Sequence, residues 1–306
     1  MTQTVYTTGS YPSMVAVQDV NNDNKSDIII TNLGNNNIGI LFNSGNGTFL
    51  AQQIYSTGIG PFAVSIVDIN NDNKPDIIVT NYYGDSIGIF INKGNGSFYA
   101  QITYATNLEP HGMAIADVNN DNKPDIIVTN SADNSLSLFF NIGNGSFTTQ
   151  IVISVGSTPH GIAVADVNND NKPDIIITNA GINNVGVLVN YGNGTFMTQK
   201  TYSTGNAPWD VAVVDINCDT KPDMIVANYA SNTVAVLVNI GNDSFGLQKS
   251  YTTGSNPFGI AVVDVNSDYK PDIIVTNNEN KTASVLLAYW QYTSFSLCEL
   301  VVMMNV

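Results

Sequence analysis

Short apolar runs alternate along the chain with clusters of Asn, Asp, Gly and Lys, and no apolar run reaches the length of a membrane-spanning helix. In residues 160–204 this pattern predicts four strands. HGIAVADV (160–167) is a short apolar strand, DIIITN (174–179) is β-branched, and NNVGVLVN (183–190) alternates as a third. YGNGTF (191–196) carries an Asn-Gly turn, and TFMTQKTYST (195–204) reads as the fourth strand.

The same unit returns every 49 residues. Its marker prolines are Pro12, Pro61, Pro110, Pro159, Pro208 and Pro257, and the same step separates Asn32, Asn81, Asn130, Asn179, Asn228 and Asn277. A strictly periodic chain builds one supersecondary unit per repeat and completes each core against its neighbours. Four hairpin-linked strands in 49 residues have the size of a propeller blade. The expected fold is therefore all-β, a β-propeller of six four-stranded blades over residues 1–288. Residues 1–8, MTQTVYTT, align with a fourth strand, because Tyr6 lies 49 before Tyr55. That strand is expected to close the ring by completing the sixth blade. The divergent tail, 289–306, loses the Gly-Asn-Gly turn and reads either as a degenerate strand or as disordered.

Between the first two strands of each unit stands a phrase such as DVNNDNKPD (117–125). Asp, Asn and Asp occupy positions 1, 3 and 5, Lys position 7 and Asp position 9. The six copies are Asp19, Asn21, Asp23, Lys25, Asp27; Asp68, Asn70, Asp72, Lys74, Asp76; Asp117, Asn119, Asp121, Lys123, Asp125; Asp166, Asn168, Asp170, Lys172, Asp174; Asp215, Asn217, Asp219, Lys221, Asp223; and Asp264, Asn266, Asp268, Lys270, Asp272. Side-chain oxygens at alternate positions of a tight loop, followed by a backbone carbonyl and another carboxylate, suit a hard cation, calcium rather than magnesium. Asx-rich turns without any metal are the other reading of the same residues. Position 6, Asn in four copies and Thr220 and Tyr269 in the last two, calls for a left-handed backbone that suits Gly and is tolerable for Asn. The last two sites are expected to be weaker.

Charge changes the picture. The chain has 25 acidic and 10 basic residues, a net −15, and no arginine, which disfavours nucleic-acid partners. Each loop carries a net −2, so the six account for −12 of it. One divalent ion per loop, up to six Ca2+ in all, would cancel that charge; without it, three crowded carboxylates should oppose loop closure. Two cysteines, Cys218 and Cys298, make no disulfide framework. The segment MTQTVYTTGSYPS has neither a basic nor an apolar leader region.

The loops, a preceding pattern such as GNAPWDVAV (205–213) and the following GNGTF hairpin resemble the FG-GAP or VCBS-type repeat, found in integrin α-subunit propellers and extracellular adhesion proteins. The resemblance covers residues 1–288. It implies calcium held through loop positions 1, 3, 5, 7 and 9, an adhesion or ligand-binding role, and an extracellular or cell-surface setting. The family's usual Gly at position 6 is missing here, which bears on affinity.

Positions that differ between repeats point to a partner. After the marker proline stand Ser13, Phe62, His111, His160, Trp209 and Phe258, holding both histidines of the chain. Phe62, His111, His160, Trp209 and Phe258 are thus candidate ligand-binding residues for a protein or glycan, or else inter-blade packing. Asn46, Asn95, Asn144, Asn193, Asn242 and Asn280 match the glycosylation sequon, although Asn-Gly also serves the hairpin turn. Outside the loops the acids are Asp85, Asp133, Asp210, Asp243, Glu109, Glu279 and Glu299. No nucleophile–base motif accompanies them, so the chain reads as a non-catalytic binding module. A lectin propeller is the alternative, with an enzyme acting on polysaccharide behind it.

Overall fold

The computed structural model describes residues 4–292 and 298–304, with side chains as far as Ala288. Six four-stranded antiparallel sheets follow one another at the predicted period, the blades of a β-propeller fold. They fall into two compact units. The first unit holds blade 1 (strands Pro12–Gln18, Asp27–Asn32, Asn37–Leu41, Gln53–Ser56), blade 2 (Pro61–Val67, Asp76–Asn81, Ser86–Phe90, Ile102–Ala105) and blade 3 (Pro110–Ala116, Asp125–Asn130, Ser135–Phe139, Ile151–Ser154). The second holds blade 4 (Pro159–Ala165, Asp174–Asn179, Asn184–Leu188, Lys200–Ser203), blade 5 (Pro208–Val214, Asp223–Asn228, Thr233–Leu237, Lys249–Thr252) and blade 6 (Pro257–Val263, Asp272–Asn277, Thr282–Tyr292, Cys298–Met304).

The second strand of each blade is paired on both edges, and in blades 2 to 5 it is buried throughout, which is why it reads as an unbroken β-branched run. Successive side chains point to opposite faces, and within each unit the facing surfaces of neighbouring blades pack together. Ile29, Ile38 and Ile40 of blade 1 meet Ile77, Val79 and Phe90 of blade 2. In the second unit Ile225, Val234 and Val236 of blade 5 meet Ile273, Val275 and Leu286 of blade 6 in the same way. Between second and third strands of blades 1, 2, 4 and 5, a single 3-10 turn ends in a left-handed residue, such as Asn36 (φ 53°) or Asn183 (φ 54°). Asn suits that conformation, and its side chain does further work. Asn36 Oδ1 accepts the Gly60 N–H of the next blade at 2.8 Å, and Asn183 Oδ1 accepts that of Ala207 at 2.9 Å.

Two expectations need correction. The fourth strand of blade 6 is Cys298–Met304, paired with Leu286–Tyr292, and not the N-terminal segment; residues 4–8 form no strand. The third strand of this blade runs on to Tyr292, so the tail folds back onto the prolonged part, a pairing its lost register had hidden. Residues 1–3, 293–297 and 305–306, on which parts of those expectations fell, lie outside the described residues. The expected strand 195–204 is also two elements. Phe196 bridges Asn190 in a separate small hairpin, and the fourth strand starts at Lys200.

Candidate cation loops and the aromatic positions

Each acidic phrase links the first and second strands of a blade, and its carboxylates do different jobs. In the first copy Asp19 Oδ1 accepts the N–H groups of Asn21, Asn22 and Asp23 at 3.2, 2.7 and 3.3 Å, and Oδ2 that of Asn24 at 2.7 Å. Asn21 Oδ1 accepts Asp23 N–H, and Asp23 Oδ1 accepts Lys25 N–H, both at 2.9 Å. The Lys25 ammonium lies 3.4 Å from Asp23 Oδ2. Position 9 is wholly buried: Asp27 accepts Val20 N–H at 3.1 Å and Asn43 N–H at 2.8 Å, tying loop to hairpin.

The other copies repeat this. The position 6 N–H reaches Oδ2 of the leading Asp at 2.7 Å from Asn73, Asn122, Asn171 and Tyr269, and at 2.8 Å from Thr220. That position is left-handed everywhere, including Thr220 (φ 71°) and Tyr269 (φ 63°), as the residue types predicted. Position 4 is left-handed too, at Asn22, Asn71, Asn120, Asn169, Cys218 and Ser267. Sequence reasoning passed over it, although Asn at position 4 of four copies was the available signal.

Burial pushes the position 9 carboxyls of Asp76, Asp174 and Asp223 up to about 6, and that of Asp27 upward. Backbone N–H donors pull the other way, and the acids at positions 5 and 1 add to the rise. Among the described residues no group of three or more His, Cys, Asp or Glu is drawn tightly enough to hold an ion. The loops close on backbone donors and the Lys–Asp pair. The donor set still suits a hard cation, because an oxygen that accepts one N–H has a second lone pair for a ligand bond. A polar cleft of about 430 Å³ lies between the second and third loops, lined by Asp68, Asn70, Asn71, Asp121, Asn122 and Lys123 among others.

The variable aromatic positions gather within each unit. In the first, Phe62 lies 4.1 Å from His111, and Tyr82 is near both at 6.2 and 6.1 Å. Tyr82 Oη donates to Glu109 at 2.8 Å, and burial together with that carboxylate raises the phenol to about 12. In the second, Trp209 touches His160 at 3.9 Å, Phe258 at 5.0 Å and Tyr229 at 5.4 Å. Both histidines are buried, whereas Phe62, Trp209 and Phe258 are half-buried. Tyr82 and Tyr229, from the 3-10 turns, were missed by sequence reasoning.

So was an exchange in blade 5. In the other blades a Thr of the second strand bonds the first strand, and Thr31 also bonds the next blade: Thr31 Oγ1 accepts Met14 N–H at 3.0 Å and donates to Phe62 O at 2.8 Å. Thr80 and Thr178 donate likewise to His111 O and Trp209 O. Blade 5 has Ala227 there, and Asp210 stands where Met14, Ala63, Gly112, Gly161 and Gly259 stand elsewhere. The Asp210 carboxylate takes over the link, accepting Val211 N–H and, from blade 6, Ile260 N–H, each at 2.9 Å. Burial raises Asp210 to about 6, against the pull of those two donors.

The family model of the FG-GAP-like repeat matches residues 19–79, 68–128, 117–177, 172–226 and 215–275. The chain belongs to the FG-GAP-like repeat family. Similar solved structures include a protein from Lactobacillus plantarum (TM-score 0.68, 14% identity, 99% of this chain and 86% of that one). BBS1N in complex with ARL6DN is similar at TM-score 0.64 and 14% identity, covering 97% and 83%. Virginiamycin B lyase from Staphylococcus aureus follows at 0.61 and 16%, covering 90% and 80%. At such identities the likeness is one of fold. No curated protein matches.

Proposed function

We propose that this FG-GAP-like chain is a non-catalytic, calcium-stabilised binding module that presents propeller blades to a protein ligand in an extracellular or cell-surface setting. The observation that carries the reading is the sixfold loop, in which a wholly buried carboxylate at position 9 stands beside the acids of positions 1 and 5. Calcium would supply positive charge there, held by Asp19, Asn21, Asp23, the Lys25 carbonyl and Asp27 and by their counterparts in the other copies. The chain's own residues set the site: backbone N–H groups orient Asp19, and the hairpin N–H of Asn43 fixes Asp27. The half-buried rings of Phe62, Trp209 and Phe258 supply apolar area with some of the surface open to a ligand. Protein binding is supported by a solved propeller of similar fold that is complexed with a protein partner. Among the described residues no helix is long and apolar enough to cross a membrane.

Calorimetric titration with calcium tests the metal reading. Up to six sites are expected, with the two that carry Thr220 and Tyr269 weakest; no heat of binding at millimolar calcium refutes it.

A further inference from the structure

We propose that Asn95 is a site of spontaneous deamidation, where the turn of blade 2 converts to aspartate and isoaspartate ahead of the other Asn-Gly turns. Four small hairpins carry Asn-Gly, at Asn46, Asn95, Asn144 and Asn193, each followed by Ser or Thr. Glycine has no side chain to hinder its own nitrogen, so in Asn-Gly that nitrogen reaches the neighbouring side-chain amide most easily. All four asparagines are exposed. The sequence makes them equivalent, and the hydrogen bonds of the folded chain separate them.

The turns take two forms. In blades 1 and 3 the asparagine is left-handed, at φ 54° for Asn46 and 53° for Asn144, and among the described residues its side chain makes no hydrogen bond. In blade 1 the hydroxyl two residues on turns to the backbone instead, Thr48 Oγ1 donating to Gly45 O at 2.8 Å. In blades 2 and 4 the asparagine is not left-handed. Its Oδ1 accepts both donors of the residue two places on. Asn95 Oδ1 accepts the Ser97 N–H at 3.2 Å and the Ser97 hydroxyl at 2.5 Å, and Asn193 Oδ1 accepts those of Thr195 at 3.1 and 2.6 Å.

These donors sit where charge develops. When the Gly96 nitrogen attacks Asn95 Cγ, Oδ1 becomes an oxyanion, and donors already aimed at it bind more strongly in that transition state than in the ground state. The Gly96 proton passes to water, the Cγ–Nδ2 bond breaks, and Nδ2 takes up a proton and leaves as ammonia. Water then opens the five-membered imide at either carbonyl, giving aspartate or isoaspartate. Water is the only co-reactant. The attacking nitrogen separates Asn95 from Asn193. Gly194 N–H donates to Val118 O at 3.0 Å, which ties up the proton that attack must release. Among the described residues Gly96 N–H makes no such bond, and it is the Gly96 carbonyl that is held, by the Tyr55 hydroxyl at 3.3 Å. Only Asn95 therefore combines an activated carbonyl with an unbonded nucleophile.

The product places a carboxylate beside a candidate cation loop. The Lys74 methylenes pack where a Gly94 side chain would stand, and the Lys74 ammonium lies 3.3 Å from Asp72 of the second loop. A charge at residue 95 gives that ammonium a second acidic neighbour.

The test is to hold the purified full chain at physiological temperature and mildly alkaline pH, then to digest it and follow all four turns by mass spectrometry. Residue 95 should convert first. Ser97→Ala removes the hydroxyl donor and should slow conversion at 95 roughly tenfold, the worth of one good hydrogen bond, while Ser97→Thr should keep the wild-type rate. In urea that unfolds the chain, the four turns should convert at like rates and Ser97→Ala should make no difference. Conversion at 95 no faster than at 46, 144 and 193 in folded wild type overturns the proposal, and so does an equal rate in folded Ser97→Ala.

Discussion

At the scale of single residues, two side chains carry consequences that can be measured. Asp210 titrates near 6 in the folded chain, above its ordinary 3.8, because burial disfavours its charge. Between those values the folded state binds more protons than the unfolded one, so Asp210 makes stability fall as pH rises from about 4 to about 6. The contribution is fully present below the unfolded value, where the carboxyl is protonated, and is lost as pH rises through about 6. Asp210→Asn should remove that part of the slope, on the order of 3 kcal/mol, in denaturant melts taken across the window. A slope equal to wild type would show that Asp210 is not the group responsible. Thr220 is the other case: a β-branched residue at φ 71° is strained where Asn171 sits easily. Thr220→Asn keeps the N–H bond to Asp215 and should raise stability by about 1 kcal/mol in a thermal melt.

At the scale of elements, the buried asparagine that opens the small hairpin in blades 2 to 5, as Asn92 does, joins three segments at once. Asn92 Nδ2 donates to Val20 O and to Pro75 O at 2.8 Å, and its Oδ1 accepts Gly94 N–H at 2.7 Å. Asn92→Ala would leave buried carbonyls without donors and should cost roughly 3 kcal/mol, read as a fall in the denaturant midpoint at unchanged slope. A loss below half that would place the blade-to-blade attachment in the apolar core instead. The repeat made most of this architecture legible: a fixed step, a β-branched second strand and an Asn-Gly turn leave little choice of topology. What escaped was whatever depended on a neighbour. The tail of blade 6 pairs with a prolonged strand after its own register is lost, and the Thr-to-Ala and Gly-to-Asp exchange in blade 5 makes sense only when Ile260 of blade 6 is seen beside Asp210. The loop ligands were readable because alternate oxygens declare themselves, while the backbone donors that hold them are silent in a sequence.

At the scale of the whole molecule, stability in a repeat protein is close to a sum of unit terms and interface terms. Six loops of net −2 enter that sum six times. Without a cation the cost is softened but not removed, because the Lys–Asp pairs are partly exposed, at 3.1 to 3.6 Å, and pairs of that kind contribute little. Calcium at tenfold its dissociation constant adds about 1.4 kcal/mol per site, or about 8 kcal/mol over six independent sites, as large as the net stability of an ordinary domain. Excess chelator should therefore lower the melting temperature by many degrees relative to millimolar calcium. Because the proposed ions would act on every blade, the transition should move as a whole instead of splitting. An identical melt in both conditions would mean that backbone donors alone hold the loops, and the position 9 carboxylates would then be structural turn residues.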